Sequence, residues 1–231
     1  MLTATGLNHF YGESHTLWDI DLDIKPGSCT CVLGRNGVGK TTLMDCIVGL
    51  NEVRTGELTY QGKQLSKLGA AERASLGIGY VPQGRQIFPL LTVQENIQTG
   101  LLGEGRGRAP VPQHLYDMFP VLETMKSRLG GDLSGGQQQQ LAIARALALK
   151  PSVLILDEPT EGIQPNIVHE IGTVIESLHK ERDITVIIVE QKLAFARRVG
   201  THFVIMERGR IVSGGEMVEL TDEKVARYLT V

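Results

Sequence analysis

Only three of the 231 residues are cysteine, one is tryptophan and 5% are aromatic. Cys29, Cys31 and Cys46 form neither a C-x-x-C pair nor a group with histidine. An odd trio of this kind supplies no disulfide framework and no zinc site, and buried, inert thiols are expected. No stretch approaches the ~18 apolar residues that cross a bilayer. The longest aliphatic runs are as short as Val153 to Leu156 and Val186 to Val189. The opening MLTATGLNHFYG lacks a basic segment leading into an apolar one, so it does not read as a secretion signal and a cytosolic chain is expected. A surplus of positive charge is missing too: 23 Lys and Arg against 26 Asp and Glu leave a net charge of −3. No global field therefore holds a nucleic-acid backbone, and nucleic acid is not an expected partner. What is present is ordinary: 42% hydrophobic and 21% charged residues match globular averages and exclude a disordered or collagen-like chain. The length predicts one large domain, 1–231, with a subdomain inside it.

The chain begins with strand patterns. DIDLDI alternates Ile20, Leu22 and Ile24 with acids, and SCTCVLG after the Pro26-Gly27 turn is continuously apolar, the signatures of a half-exposed and a buried strand. GRNGVGKTT then opens a helix, LMDCIVGL, expected to end at Gly49. Residues 57 to 81 read as further strands around a polar connection. TVQENIQTGLL starts with a capping box, Thr92 and Glu95. GEGRGRAP, 103 to 110, is glycine- and arginine-rich and is expected to be a mobile loop, followed by helical material with Leu115, Met118, Val121, Leu122 and Met125. Residues 84–150 thus read as a mainly helical insert. From Ser152 the α/β pattern returns: SVLILDE and ITVIIVE are buried strands, with an apolar helical stripe Ile167, Ile171, Val174, Leu178 between them. HFVIMERGRIVSGGE reads as a hairpin turning near Arg208-Gly209, and the polar, amphipathic tail from Glu216 leaves no room for another domain. The predicted fold is α/β: a mainly parallel sheet flanked by helices, an N-terminal antiparallel β region, and the helical insert.

Gly34, Gly39, Lys40 and Thr41 satisfy G-x-x-x-x-G-K-[ST] between a predicted strand and a predicted helix. In such a loop, which also includes Asn36, Gly37 and Thr42, backbone N–H groups curl around phosphate oxygens. The helix N-terminus adds positive charge, the lysine neutralises the β- and γ-phosphates, and the threonine hydroxyl ligates Mg²⁺. A nucleoside triphosphate with Mg²⁺ is the expected ligand, which makes the predicted sheet a P-loop nucleotide-hydrolase (NTPase) core. The strand VLILDE ends in paired acids, where ligands sit at sheet ends. Asp157 is assigned to magnesium and Glu158 to the base that polarises the attacking water.

Leu133 to Gln137 read LSGGQ, directly before the helix-prone QQQLAIARALAL, with Ser134 as its N-cap. This is a second anion-binding helix start, which one triphosphate rarely needs unless it faces nucleotide held by another chain. LSGGQ together with the phosphate loop and LILDEP strongly resembles an ABC-type ATPase domain, over essentially the whole sequence. The resemblance implies two ATPase domains packed head to tail, with Ser134, Gly135, Gly136 and Gln137 contacting the γ-phosphate of ATP bound by the partner. It implies that Tyr11 stacks on adenine. It implies further that Gln83, in YVPQ, reaches the magnesium and the attacking water and joins the site to the helical insert. Ile87, Phe88, Leu90 and Leu91 then fall where the family docks a membrane subunit's cytoplasmic helix, and they divide between core and groove.

Two positions depart from the family pattern. Gln191, in VEQK, stands where a histidine usually contacts the γ-phosphate, and an amide hydrogen-bonds but carries no charge at neutral pH. Gln164, in EGIQP, replaces an aspartate that links the two sites. GRQIFPLLTVQEN, EGIQP and VEQK together resemble the second ATPase of importers for branched-chain amino acids, amides and urea, most closely the urea-type subunit. The implied partners are a second, different ATPase subunit, with a homodimer as the alternative, integral membrane permease subunits that hold the chain on the inner face of the cell membrane, and a separate solute-binding protein. A lipid or polysaccharide exporter is the competing reading, disfavoured by VEQK and EGIQP. A nucleotide-gated clamp would usually carry two ATPase domains or a long coiled coil between motifs, whereas Gly34 and Ser134 lie 100 positions apart.

Overall fold

The computed structural model describes residues 1–102 and 109–229. Most of the predicted GEGRGRAP loop, 103–108, lies outside the described residues. A six-stranded sheet runs in the order β10-β9-β3-β8-β7-β6, built from β3 (Cys29–Leu33), β6 (Ile78–Val81), β7 (Val153–Asp157), β8 (Thr185–Glu190), β9 (His202–Glu207) and β10 (Arg210–Glu216). All neighbours pair in parallel except the edge hairpin β9–β10. A four-stranded antiparallel sheet, β2-β1-β4-β5, comprises β1 (Leu2–Tyr11), β2 (Ser14–Ile24), β4 (Thr55–Tyr60) and β5 (Lys63–Gln64).

The unbroken apolar runs arise because β7 and β8 are covered on both faces. Leu154, Leu156, Val186 and Ile188 enter one core cluster, while Val153, Ile155, Ile187 and Val189 enter the other. Successive strand residues point to opposite faces, so burial on both sides requires every residue to be apolar. The second cluster is completed by Leu43, Met44 and Ile47 of α1 (Lys40–Val48) and by Leu7, Leu17 and Ile20 of the antiparallel sheet. The first is completed by α3 (Val93–Leu101), α6 (Gly135–Leu147) and α7 (Pro165–Glu181), with Ile97, Leu141, Ile171 and Leu178 fully buried. Helix α3 lies so close on α6 that a Cβ on Gly100 would clash with the backbone oxygen of Arg145. All three cysteines are buried, and burial pushes the Cys46 thiol up to about 12, which fits the expected inert packing role.

Two stretches differ from expectation. The polar connection within 57 to 81 contains a helix, α2 (Ala70–Ser75). Glu72 caps it by accepting from the Gly69 N–H at 2.8 Å. Arg73 anchors it, its buried guanidinium donating to the carbonyls of Cys46, Ile47 and Leu68. Six residues are too few for periodicity to reveal, and the helix exists because Arg73 satisfies the open carbonyls at the C-terminus of α1. The helical material before residue 125 is two pieces, α4 (Gln113–Met118) and α5 (Pro120–Thr124). Phe119, held at φ −134 and ψ 73, breaks them. The residue before a proline avoids the helical region, and Pro120 starts the second helix. The remaining helices are α8 (Leu193–Val199) and α9 (Asp222–Tyr228). No described helix is long and apolar enough to cross a membrane.

Candidate functional site

Strand β3 ends at Leu33 and α1 starts at Lys40, so the phosphate-loop sequence is the tight passage between them. Gly34 has φ 151, and a Cβ there would lie 2.5 Å from the backbone oxygen of Met206 on β9. Only glycine lets the loop leave the sheet so close to its neighbour. The loop walls a cavity of about 320 Å³ lined by Thr16, Asn36, Gly37, Gly39, Lys40, Thr41, Thr42, Gln83, Glu158 and Glu161. Sequence reasoning picks out eight of these; Thr16 carries no motif, and Glu161 opens EGIQP without being assigned a role there.

Lys40 is buried, and its ammonium donates to the carbonyls of Gly34 and Arg35, each at 2.8 Å. Burial lowers its proton affinity, and the charges of Glu158, Asp157 and Glu190 pull it back. Asp157, at the end of β7, is 1% exposed, and neither carboxylate oxygen has a hydrogen-bond partner. Burial raises its pKa to about 6, reinforced by the charges of Glu158 and Asp45. The Thr41 hydroxyl and Lys40 oppose that rise without closing a hydrogen bond on either oxygen. An orphaned, buried carboxylate beside a threonine hydroxyl at the phosphate loop is the donor set that a small divalent cation takes, so the residues fit Mg²⁺.

Glu158 adopts φ 49, a left-handed conformation that costs a non-glycine residue of order 1–3 kcal/mol and marks a turn held by its surroundings. Its carboxylate accepts from Gln191 Nε2 at 2.6 Å and from Gln83 Nε2 at 3.2 Å. The Gln83 amide also donates to Glu161 at 3.0 Å. Glu190 fixes the turn that carries Gln191. Its buried carboxylate accepts the Thr160 hydroxyl and the backbone N–H groups of Gln191 and Lys192, while Lys192 Nζ donates to the Thr160 carbonyl at 2.8 Å. The segments after β7 and β8 are thereby tied together, and two neutral amides bracket one carboxylate.

The remaining expected site residues lie elsewhere. Ser134 is the N-cap of α6: Gln137 Oε1 accepts from the Ser134 N–H at 2.9 Å, and the Ser134 hydroxyl accepts from the Gln137 N–H at 3.4 Å. None of Ser134, Gly135, Gly136 or Gln137 lines the phosphate-loop cavity. Tyr11, at the end of β1, is 52% exposed and also outside that cavity; its hydroxyl accepts from Asn51 at 2.8 Å. Gln164 is the exposed N-cap of α7. Ile87 and Phe88 line a second, wider and mostly apolar groove of about 720 Å³ with Leu102, Arg145 and Leu149, whereas Leu90 and Leu91 do not. Chemically, the first cavity joins a cation and a ring of backbone amides for a polyanion to a carboxylate positioned for water.

A family model described as "ABC transporter" matches residues 17–161. The high-affinity branched-chain amino acid transport ATP-binding protein BraG of Pseudomonas aeruginosa is 35% identical over 213 residues, covering 92% of this chain and 91% of its own. The probable branched-chain amino acid transport ATP-binding protein LivF of Archaeoglobus fulgidus is 36% identical over 228 residues, covering 97% and 95%. Among solved structures, CbiO1 of Clostridium perfringens, part of the transporter complex CbiONQ, superposes with a TM-score of 0.84 at 32% identity over 98% of this chain and 92% of its own. The cassette MJ0796, a dimer in a post-hydrolysis state bound to ADP and Pi, superposes with a TM-score of 0.84 at 28% identity, covering 94% and 99%.

Proposed function

The chain belongs to the ABC transporter family as an ATP-hydrolysing importer subunit, and on that premise we propose that it drives uptake of branched-chain amino acids, related amides or urea. The observation that carries the mechanism is the division of the site. Lys40, Thr41, Gln83 and Glu158 share one cavity, while the Ser134-capped start of α6 lies outside it.

Arriving phosphates draw the Lys40 ammonium from the Gly34 and Arg35 carbonyls to the β- and γ-oxygens, and the loop amides Asn36 to Thr42 wrap the remainder. Thr41 and Asp157 would hold the magnesium ion of the bound nucleotide, which would supply charge neutralisation at the phosphates. Glu158 accepts the proton of the attacking water, oriented by the Gln83 and Gln191 amides. Because Gln191 is neutral, it steadies that carboxylate without contributing positive charge at the γ-phosphate, so turnover at this site should be slow. Ser134 of one subunit completes the cavity of another in a head-to-tail pair. The second subunit is a different ATPase, and adenine rests on Tyr11. The helical insert, 84–150, carries the contact to the permease, whose cytoplasmic helix enters the Phe88–Arg145 groove and holds the chain at the membrane.

The test is to purify the chain with its co-expressed permease and ATPase partners. ATP hydrolysis is then measured with branched-chain amino acids, amides or urea presented on the solute-binding protein. One of these solutes should stimulate turnover, and stimulation by none of them, or co-purification with exporter subunits only, overturns the assignment. Disabling Lys40 and the partner's equivalent lysine in turn should give unequal losses of transport-coupled hydrolysis. Equal losses remove the heterodimer with unequal sites.

A further inference from the structure

Three consecutive residues after Gln83 adopt left-handed backbone: Gly84 at φ 77, Arg85 at φ 68 and Gln86 at φ 45. Two of them are not glycine, and such a conformation persists only where the surroundings impose it. At Arg85 the surroundings are two different parts of the chain, α6 and the turn after β7. Its Nη1 donates to Gln138 Oε1 at 3.3 Å in the first turns of α6. Its Nη2 reaches the backbone oxygen of Glu161, in the turn that follows Glu158, at 3.5 Å. The guanidinium also occupies the space over Gly135, where a Cβ would come within 2.9 Å of Nη1. From the other side, Arg145 Nη2 approaches the Arg85 carbonyl at 3.5 Å, and the Arg145 guanidinium lies 5.2 Å from the centre of the Phe88 ring in the apolar groove.

We propose that Arg85 is a positioning residue for ATP hydrolysis: its planar fork sets the start of α6 against the turn carrying Glu158 and Glu161. It does not line the nucleotide cavity, so it acts through other groups. Two are close at hand: Gln83, two residues before it, which bridges Glu158 and Glu161, and Ser134, whose helix it touches. Arginine suits the position because a rigid fork reaches acceptors on two elements at once, whereas a lysine ammonium is a single point charge. The inference rests on the assignment of Glu158 and Ser134 to hydrolysis.

The experiment measures kcat and KM for ATP on the full chain assembled with its partners, in the wild type and in Arg85→Ala, Arg85→Gly and Arg85→Lys. The alanine and glycine variants should each lose at least tenfold in kcat with KM within twofold, and the lysine variant should fall between them and the wild type. Glycine relieves the left-handed backbone, so a glycine variant with wild-type kcat would assign the effect to strain and overturn the proposal. A loss appearing mainly in KM overturns it as well. Adding Gln138→Ala to Arg85→Ala should cost little more than Arg85→Ala alone, and fully additive losses refute the contact. The lysine variant supplies a folded comparison, checked by thermal melting. Full turnover in Glu158→Gln would instead sink the underlying assignment, whereas an inert Glu158→Gln with unimpaired Arg85 variants sinks this inference alone.

Discussion

The unpartnered carboxylate of Asp157 is expected to destabilise the ion-free protein, and Asp157→Asn measures by how much. Its carboxylate is 1% exposed with both oxygens unpartnered, and its pKa is raised from 3.8 to about 6. The displacement corresponds to about 3 kcal/mol, at roughly 1.4 kcal/mol per tenfold change in proton affinity. The sign follows from the folded protein holding this proton more tightly than the unfolded chain. Stability contributed by the neutral acid is complete below about pH 4 and is lost as pH rises to about 6 and beyond. At neutral pH the ion-free protein carries the whole penalty. An asparagine removes the charge but buries an amide without partners, returning about 1–2 kcal/mol. The net gain of about 1–2 kcal/mol should raise the melting temperature by roughly 3–6 °C for a chain of this size. The assay is thermal denaturation at about pH 7.5, without nucleotide and with a chelator, repeated with magnesium and repeated near pH 4. The variant should melt above the wild type only in the chelated, neutral sample, and magnesium should raise the wild type alone. A variant that melts at or below the wild type there would refute the reasoning, because it would mean the carboxylate is already satisfied.

Glu158→Gln should retain ATP and lose turnover by at least about a hundredfold, the scale on which a positioned base contributes. Retained nucleotide and a trapped dimer are read by size-exclusion chromatography with bound ATP quantified. Arg73→Leu leaves the Cys46, Ile47 and Leu68 carbonyls without their donor and should cost about 2–4 kcal/mol, seen as a lower denaturation midpoint with unchanged slope. Gly100→Val forces α3 away from α6, where even a Cβ meets the Arg145 oxygen and the Ala148 methyl. The expected cost is about 1–3 kcal/mol, with the near-ultraviolet spectrum and melting temperature as readouts.

The sheet core was legible because burial on both faces leaves continuous apolar runs, and Val153 to Leu156 and Val186 to Val189 carry that mark. The caps at Thr92 and Ser134 were legible for a local reason: each bonds a residue three positions away. The phosphate-loop positions were readable from spacing alone, since a glycine-rich passage between strand and helix has few other uses. What escaped was set by distant partners. Helix α2 depends on carbonyls more than twenty positions earlier in the chain, and Glu190 ends β8 as its sequence suggests, while its contact with the Thr160 hydroxyl comes from a residue thirty positions away. Arg85 and Glu161 stand in GRQIFPLLTVQEN and EGIQP, but their roles depend on Gln138 and Gln83, which the sequence does not place beside them. The break at Phe119 was written in Pro120, yet the apolar spacing ran through it.

Lys40 directs two of its three N–H donors at oxygens of its own loop. On the proposed role of Lys40, nucleotide entry would be an exchange of ligands at a cation already solvated from within, and departure would return the ammonium to those carbonyls. A lone small anion, able to offer only a few oxygens, competes poorly with that internal solvation, so selection for a full polyphosphate chain begins before any base is recognised.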